Sequence, residues 1–297
     1  MDLVQKGNSD QITREYFDSL LLEMRHLDGQ KPDTSFTLYG ETFDTPIMMA
    51  ALSHLDRIHD KGMVEMAKGA YMAHAVNWAG MGEMEELEEI TATGAKTIKI
   101  IKPYADRDEI FQRIAHAEKC GALAVGMDID HAFNANGEYD CVLGMDMRPK
   151  SVEEIREYVE ATSLPFVIKG VLSERDAYKC LEAGAKGIVV SHHHGIMDYA
   201  VPPLFVLPEI KKVAGDEIPV FVDCGILSGM DAFKALALGA TAVSAGRVIM
   251  KPLGEKGAEG VKEEIERMTG ELRGVMARCG CPDLKHMDAS VIHKRTW

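Results

Sequence analysis

Four short stretches of this sequence carry side chains that could do chemistry. Lys169 closes an apolar run in Val167-Ile168-Lys169-Gly170, and three histidines stand together in Ser191-His192-His193-His194-Gly195. Asp223-Cys224-Gly225 and Gly246-Arg247 each follow a further apolar run. A lysine there is costly to bury unless it meets negative charge. It could serve as a Schiff-base nucleophile, a phosphate contact or a charge stabiliser for a ligand; the plain alternative is a salt bridge to a nearby acid. A histidine at a strand end suits acid–base work near neutral pH. Consecutive residues of an extended strand point to opposite sides, so His192 and His194 are expected to face away from His193. That makes a shared metal awkward, and the expectation is one working histidine and no metal. Glycines after two successive strands let backbone N–H groups approach a phosphate, with Arg247 as a fixed charge. Tight turns alone would also use glycine.

These stretches need a frame. Short apolar runs recur at Ile47–Ala50, Ala73–Val76, Thr97–Ile101, Ala122–Met127, Phe166–Ile168, Gly187–Val190, Val220–Val222 and Ala242–Ser244. Between and after them lie helical patterns over Gly62–Tyr71, Glu83–Thr91, Arg107–Lys119, Val152–Ala161, Ser173–Ala183, Pro203–Val213, Gly229–Leu238 and Gly257–Arg278. Strand and helix alternating with short connections means parallel strands. Eight such units favour a closed α/β (β/α)8 TIM barrel over an open doubly wound sheet. The runs are apolar throughout, as expected where both faces are covered. Ser173 with Asp176 reads as a helix N-cap with an acid in the first turn. Gly94, Gly184 and Gly239 sit where left-handed residues stop helices.

The chemistry-bearing stretches fall at the C-terminal ends of runs five to eight, the face where barrels place active sites. Residues 1–45 read as an N-terminal extension, with a helix over Ile12–Arg25 and a hairpin-like piece over Thr37–Phe43. Asp128–Ser151, polar and long, follows the fourth run on that face; such a connection is usually a lid or a mobile loop. Residues 1–297 read as a single domain.

Composition narrows the function classes. Hydrophobic residues make up 46% and charged residues 27%, which excludes bulk disorder and a fibrous protein. The net charge of −14, from 47 acids against 33 Lys and Arg, argues against nonspecific nucleic-acid or anionic-lipid binding. No apolar run approaches a membrane span, and Met1–Asp10 is polar without a secretory pattern. Six cysteines in 297 residues, only Cys279 and Cys281 of them close together, read as free thiols in a reducing cytoplasm. The 18 methionines read as core filler and the Glu83–Glu89 run as a solvated helix face. Trp78 could flank a ligand or pack in the core. His54 could be functional or a satisfied polar group.

At these residues the sequence resembles the FMN-dependent α-hydroxy acid oxidase and dehydrogenase family, which includes glycolate oxidase, lactate oxidase and mandelate dehydrogenase. The resemblance runs from about Thr34 to Ile292 and is strongest over Phe166–Arg247. Val167–Leu172 matches the strand with the flavin-contacting lysine. Ala183–Ser191 leads, as in the family, toward a Ser-Asn-His-Gly segment. Asp223–Gly225 and the helix through Gly239-Ala240 match the Asp-Gly-Gly phosphate turn, and Gly246-Arg247 the closing pair. Thr37–Gly40 and Thr45–Met48 also fit. The resemblance implies FMN at the barrel mouth: Lys169 near the flavin ring, Asp223, Gly225, Gly246 and Arg247 around the ribityl phosphate, and Ser191, Ala50 and Ala51 close to the cofactor. It implies His193 as the base that takes the substrate hydroxyl proton while hydride passes to the flavin. It also suggests a homo-oligomer, a tetramer by analogy, with the electron acceptor undefined.

The departures concern the substrate. The arginine that clamps the substrate carboxylate in the family is Ile196 here. A second arginine falls at His131, an active-site tyrosine at Lys102 with Tyr104 nearby, and a phosphate-turn arginine at Leu227. An alkyl group cannot replace bidentate Arg–carboxylate pairing. Three explanations stand open. His131, His194 or Lys102 anchors a carboxylate by another route; the substrate lacks a carboxylate; or the chain binds FMN without oxidase chemistry. Set against all of these is a non-redox isomerase or lyase acting on a phosphorylated substrate, with Lys169 as Schiff-base former.

Overall fold

The computed structural model describes residues 7–296; Met1–Lys6 and Trp297 lie outside the described residues. Eight parallel strands form the barrel: β1 (Ile47–Met49), β2 (Asn77–Ala79), β3 (Thr97–Ile101), β4 (Ala124–Asp128), β5 (Phe166–Val171), β6 (Gly187–Val190), β7 (Val220–Val222) and β8 (Ala242–Ala245). Ladders join β2 through β8 in order and β8 to β1. Between β1 and β2 the ring is completed by a Leu52–Ala79 bridge and by the Met49 N–H donating to Val76 O at 3.0 Å. Around the strands run α1 (Gly62–Met72), α2 (Met84–Ala92), α3 (Arg107–Lys119), α4 (Val152–Glu160), α5 (Glu174–Glu182), α6 (Pro203–Ala214), α7 (Gly229–Ala237) and α8 (Met250–Cys279). Ser173 caps α5 as expected, its hydroxyl accepting the Asp176 N–H, and Gly94, Gly184 and Gly239 take positive φ.

The alternation of side chains splits the core in two. Met48, Trp78, Ile98, Ile100, Ala124, Val167, Val189, Phe221 and Ala242 fill the barrel interior, closed by Phe36, Leu38 and Phe43 of a short hairpin. The opposite faces pack against the helices. Trp78 is core: it meets Phe221 edge-on at 5.4 Å.

Three sequence expectations shift. The second strand is not Ala73–Val76 but Asn77–Ala79, because Ala73 and His74 are used to cap and turn out of α1. Asn77 interrupts the apolar pattern yet sits buried in the strand, its amide donating to Thr97 Oγ1 at 3.1 Å. The N-terminal helix covers Ser9–Ser19 rather than Ile12–Arg25. Leu20–Leu22 leaves it to pair antiparallel with Ile292–Lys294, a tertiary partner overriding helix propensity. α8 begins at Met250, and Gly257, expected as its start, is a break with φ 58°. Among the described residues no helix is long and apolar enough to cross a membrane.

Candidate active site

The inward register of the strands dictates what reaches the mouth. Two residues beyond Met48 is Ala50, beyond Trp78 is Gly80, beyond Ile100 is Lys102, beyond Gly126 is Asp128, beyond Val167 is Lys169, and beyond Phe221 is Asp223. All six line one cavity of about 600 Å³, together with Ala51, His54, His131, His193, His194, Gly225, Gly246 and Arg247.

One end of this cavity is a buried charge network. Asp128 accepts from Lys169 Nζ at 2.9 Å and from Lys102 Nζ at 2.8 Å. All three residues are buried. Burial alone would raise the Asp128 pKa. Lys169, Lys102 and His193 overcome it and hold the carboxyl far below its usual range. Burial opposes the Lys169 charge, but Asp128, Asp223 and Asp130 outweigh it and raise the ammonium pKa. An amine held so firmly protonated does not suit Schiff-base formation, which needs the free base.

Lys169 is aimed by a local irregularity. The β5–β6 ladder skips Gly170, pairing Lys169 with Val189 and Val171 with Val190. Gly170 has φ 94°, and a Cβ there would lie 2.5 Å from Asp130 Oδ2. Only glycine therefore lets the Asp130 side chain reach the site.

The three histidines do not alternate as an extended strand would. β6 ends at Val190, and His193 and His194 both adopt left-handed backbone, with φ 48° and 56°. His192 does face away: the Gly195 N–H donates to its Nδ1 at 2.9 Å, so its Nε2–H donates to Thr13 Oγ1 at 2.7 Å. His194, expected to face away from His193, lines the same cavity because the turn replaces the strand. His193 Nδ1 lies 2.9 Å from Asp130 Oδ1 and 3.2 Å from Lys169 Nζ; its Nε2 lies 3.1 Å from Nε2 of His131. His131 in turn reaches Asp140 Oδ2 at 3.2 Å. Ser191 does not line the cavity. It is buried behind the wall, and its hydroxyl accepts the His193 N–H at 3.0 Å.

The other end collects the turns after β7 and β8. Gly225 has φ 89°, and a Cβ there would press within 2.8 Å of Phe17 of the N-terminal helix. Cys224 is left-handed too, at φ 63°. Burial beside Asp223 pushes its thiol pKa well up. Arg247 lines the cavity beside Gly246 and is held at 3.2 Å by Asp10, whose second oxygen lies 2.6 Å from His194 Nδ1. His194 thus belongs to the Arg247 end rather than to the base. Leu227 lines the cavity at the position where the family resemblance places a phosphate-turn arginine, and Ile196 is not among the lining residues.

The lining suits a long ligand with an anionic head and a ring that accepts negative charge. Backbone turns and Arg247 stand at one end, small Ala50 and Ala51 along the wall, and a permanently charged lysine at the other. FMN fits that donor set. Lys169, Asp223, Gly225, Gly246, Arg247, His193, His131, Lys102, His194, Ala50 and Ala51 all line this one cavity. Sequence reasoning missed the counter-charges Asp128, Asp130, Asp140 and Asp10. Asp128 was findable as the inward residue ending β4; the others had no local signal.

Comparison with known proteins agrees with this geometry. The family model described as FMN-dependent dehydrogenase matches residues 3–155 and 148–294. The chain is 30% identical to glycolate oxidase of Spinacia oleracea, covering 98% of this chain and 90% of that protein. It is also 30% identical to the peroxisomal (S)-2-hydroxyacid oxidase GLO3 of Arabidopsis thaliana, covering 99% and 91%. A crystal structure of mandelate oxidase with 3,3-difluoro-2-hydroxy-3-phenylpropionic acid superposes with a TM-score of 0.89 at 28% identity, covering 98% and 91%. A mandelate oxidase variant with the C4a-OH-FMN adduct gives 0.88 at 28% identity, covering 98% and 92%. By sequence, barrel and cavity alike, this chain belongs to the FMN-dependent dehydrogenase family and is an FMN-dependent oxidoreductase.

Proposed function

We propose that this enzyme oxidises a small 2-hydroxy acid, with His193 as base and a carboxylate site that uses imidazole in place of a guanidinium clamp. When bound, FMN supplies the acceptor for the C–H hydride. Everything else falls to the chain. Lys169, fixed by Asp128, provides a positive charge where the ring gains negative charge. Gly225, Gly246 and Arg247 hold the phosphate end. His193, steadied at Nδ1 by Asp130, takes the hydroxyl proton at Nε2. Of the three candidate anchors, Lys102 is buried on Asp128 and His194 is held by Asp10 at the Arg247 end; His131 stands beside the base, 3.1 Å from its Nε2, and is the one placed to meet the carboxylate once substrate parts the two rings. The single observation that carries this reading is His193 and Lys169 converging 3.2 Å apart in the cavity that also holds both phosphate turns.

The test is spectroscopic. The purified protein should be yellow, or should shift the spectrum of titrated FMN. Anaerobic addition of glycolate, lactate or mandelate should bleach it, while the matching alcohols without a carboxylate should not. Absence of any flavin spectral change sinks the cofactor assignment; bleaching by the alcohols alone sinks the 2-hydroxy acid.

The same proposal includes a homo-oligomer, tetrameric by family resemblance, in a reducing cytoplasm, with an acceptor still to be named. Six unpaired cysteines support the compartment. Exposed Phe133, Tyr139, Leu143, Met197 and Tyr199 offer apolar surface for assembly. Light scattering after gel filtration decides the assembly; a monomeric mass overturns it.

A further inference from the structure

The base in this cavity does not stand open. Nε2 of His193 lies 3.1 Å from Nε2 of His131, with the rings at 80° and their centroids 4.2 Å apart. Each ring has its other nitrogen on a carboxylate: His193 Nδ1 on Asp130 Oδ1 at 2.9 Å, His131 Nδ1 on Asp140 Oδ2 at 3.2 Å. Lys169 Nζ also stands near His193 Nδ1, at 3.2 Å, but the Asp130 oxygen is nearer, at 2.9 Å, and a bare Nδ1 lone pair would repel it. An ionised carboxylate only accepts, so each Nδ1 carries its proton. The facing Nε2 atoms then hold either two repelling lone pairs or one proton between them. Their separation is that of a nitrogen-to-nitrogen hydrogen bond, so one proton sits there. A second would place two imidazolium ions in contact.

We infer that His131 is the resting partner and proton relay of the His193 base, with Asp140 fixing its Nδ1 proton so that Nε2 does the exchange. This deepens the reading of His193 as base and rests on it. Asp140 acts through His131, as a positioning residue, while His131 itself exchanges the proton and turns its Nε2 toward the substrate. Both belong to the connection between β4 and α4, where the Asp140 N–H donates to Ala132 O at 3.1 Å and ties the two residues into one unit. The charges facing the pair are Lys102, Asp128, Lys169 and Asp223 from the strand ends and Asp130 and Asp140 from that connection. Burial, then Lys102 and His193, lower the His131 pKa, in the direction that disfavours a second proton between the rings.

The cycle balances. The substrate hydroxyl displaces His131 from His193 Nε2, and His131 leaves with the shared proton as an imidazolium paired to Asp140. The hydroxyl proton then passes to His193 Nε2. His131 keeps its Nδ1 proton on Asp140, gives its Nε2 proton to water once product has left, and returns with a free Nε2 lone pair to share the proton now on His193. One proton enters from the hydroxyl, one leaves to water, and no electrons move in the relay.

Nitrogen-15 NMR of histidine-labelled holoenzyme tests the resting state without turnover. A scalar coupling across the hydrogen bond between the two Nε2 atoms is expected, and its absence overturns the inference. His131→Ala should lower kcat on the order of 10²-fold, with imidazole added to the buffer restoring much of it. Should that variant misfold, Asp140→Asn decides. It should keep the inter-ring coupling, lower kcat more than it raises KM, and enlarge the solvent-deuterium effect on kcat. An unchanged kcat in both variants across about pH 5–9 overturns the relay. Failure of the oxidase reading looks different: no substrate bleaches the flavin, while the coupling between the rings still answers for itself.

Discussion

Two buried ammonium groups share a single aspartate at the heart of this site, and that makes Asp128 the residue most exposed to test. Asp128→Asn removes the carboxylate that both Lys169 and Lys102 donate to, leaving Lys169 the more distant Asp223, at 3.7 Å. Breaking a buried pair from one side costs about 3–5 kcal/mol, so the denaturant midpoint should fall sharply and FMN retention should fall with it. The native Asp128 pKa is depressed. Its contribution is therefore present above the unfolded carboxyl pKa of about 3.9 and is lost as pH falls below that. At the other end, Asp10 occupies Arg247 at 3.2 Å. A phosphate must compete with it. Asp10→Asn should tighten FMN binding about two- to fivefold, the range of a partly exposed ion pair, measured by quenching of flavin fluorescence. Weaker binding would mean that Asp10 orders Arg247 for the phosphate instead.

At the scale of elements, the site depends on where strands end and what breaks them. The bulge at Gly170, near the end of β5, leaves room for Asp130 to cross above the strand beside Lys169. Gly170→Ala imposes a left-handed alanine, about 1–2 kcal/mol, and a clash with Asp130. Tm should drop, and kcat with it, because the Asp130 support of His193 is displaced. The capping box at Ser151, whose hydroxyl accepts the Glu154 N–H while Glu154 accepts the Ser151 N–H, is a contrasting control. Ser151→Ala should cost about 1 kcal/mol in unfolding experiments and leave kcat unchanged. Equal kinetic damage from both variants would contradict the role given to the bulge. The consecutive left-handed histidines make the same point. Their strain is held by the Ser191 hydroxyl and the Cys224 sulfur beneath them, which accept the N–H groups of His193 and His194.

At the scale of the whole molecule, the N-terminal helix ties the mouth together. Arg14 pairs with Asp231 of α7 at 2.9 Å, Thr13 receives His192, and Asp10 holds Arg247 and His194. Burial lowers the His192 pKa. The unfolded chain therefore binds more protons than the native one once pH falls below about 6.5, and stability declines from there down to the native pKa. Denaturant midpoints at about pH 8 and pH 5.5 should show this decline, and His192→Gln should flatten it; an unaltered slope refutes the assignment. The strand–helix rhythm, the barrel, the residues at the ends of β5, β7 and β8 and the family were all legible in the chain, because parallel strands and phosphate turns write local, periodic signatures. Tertiary structure alone decided which acids face those residues. Asp10, Asp130 and Asp140 come from the N-terminal helix and from a connection without periodicity, so only the closed ring brings them to Arg247 and the two imidazoles. It also decided that His193 and His194 share a cavity, since the turn that overrides strand alternation is held by Cys224 after β7 and by Thr13 and Asp10 of the N-terminal helix as well as by its own Ser191.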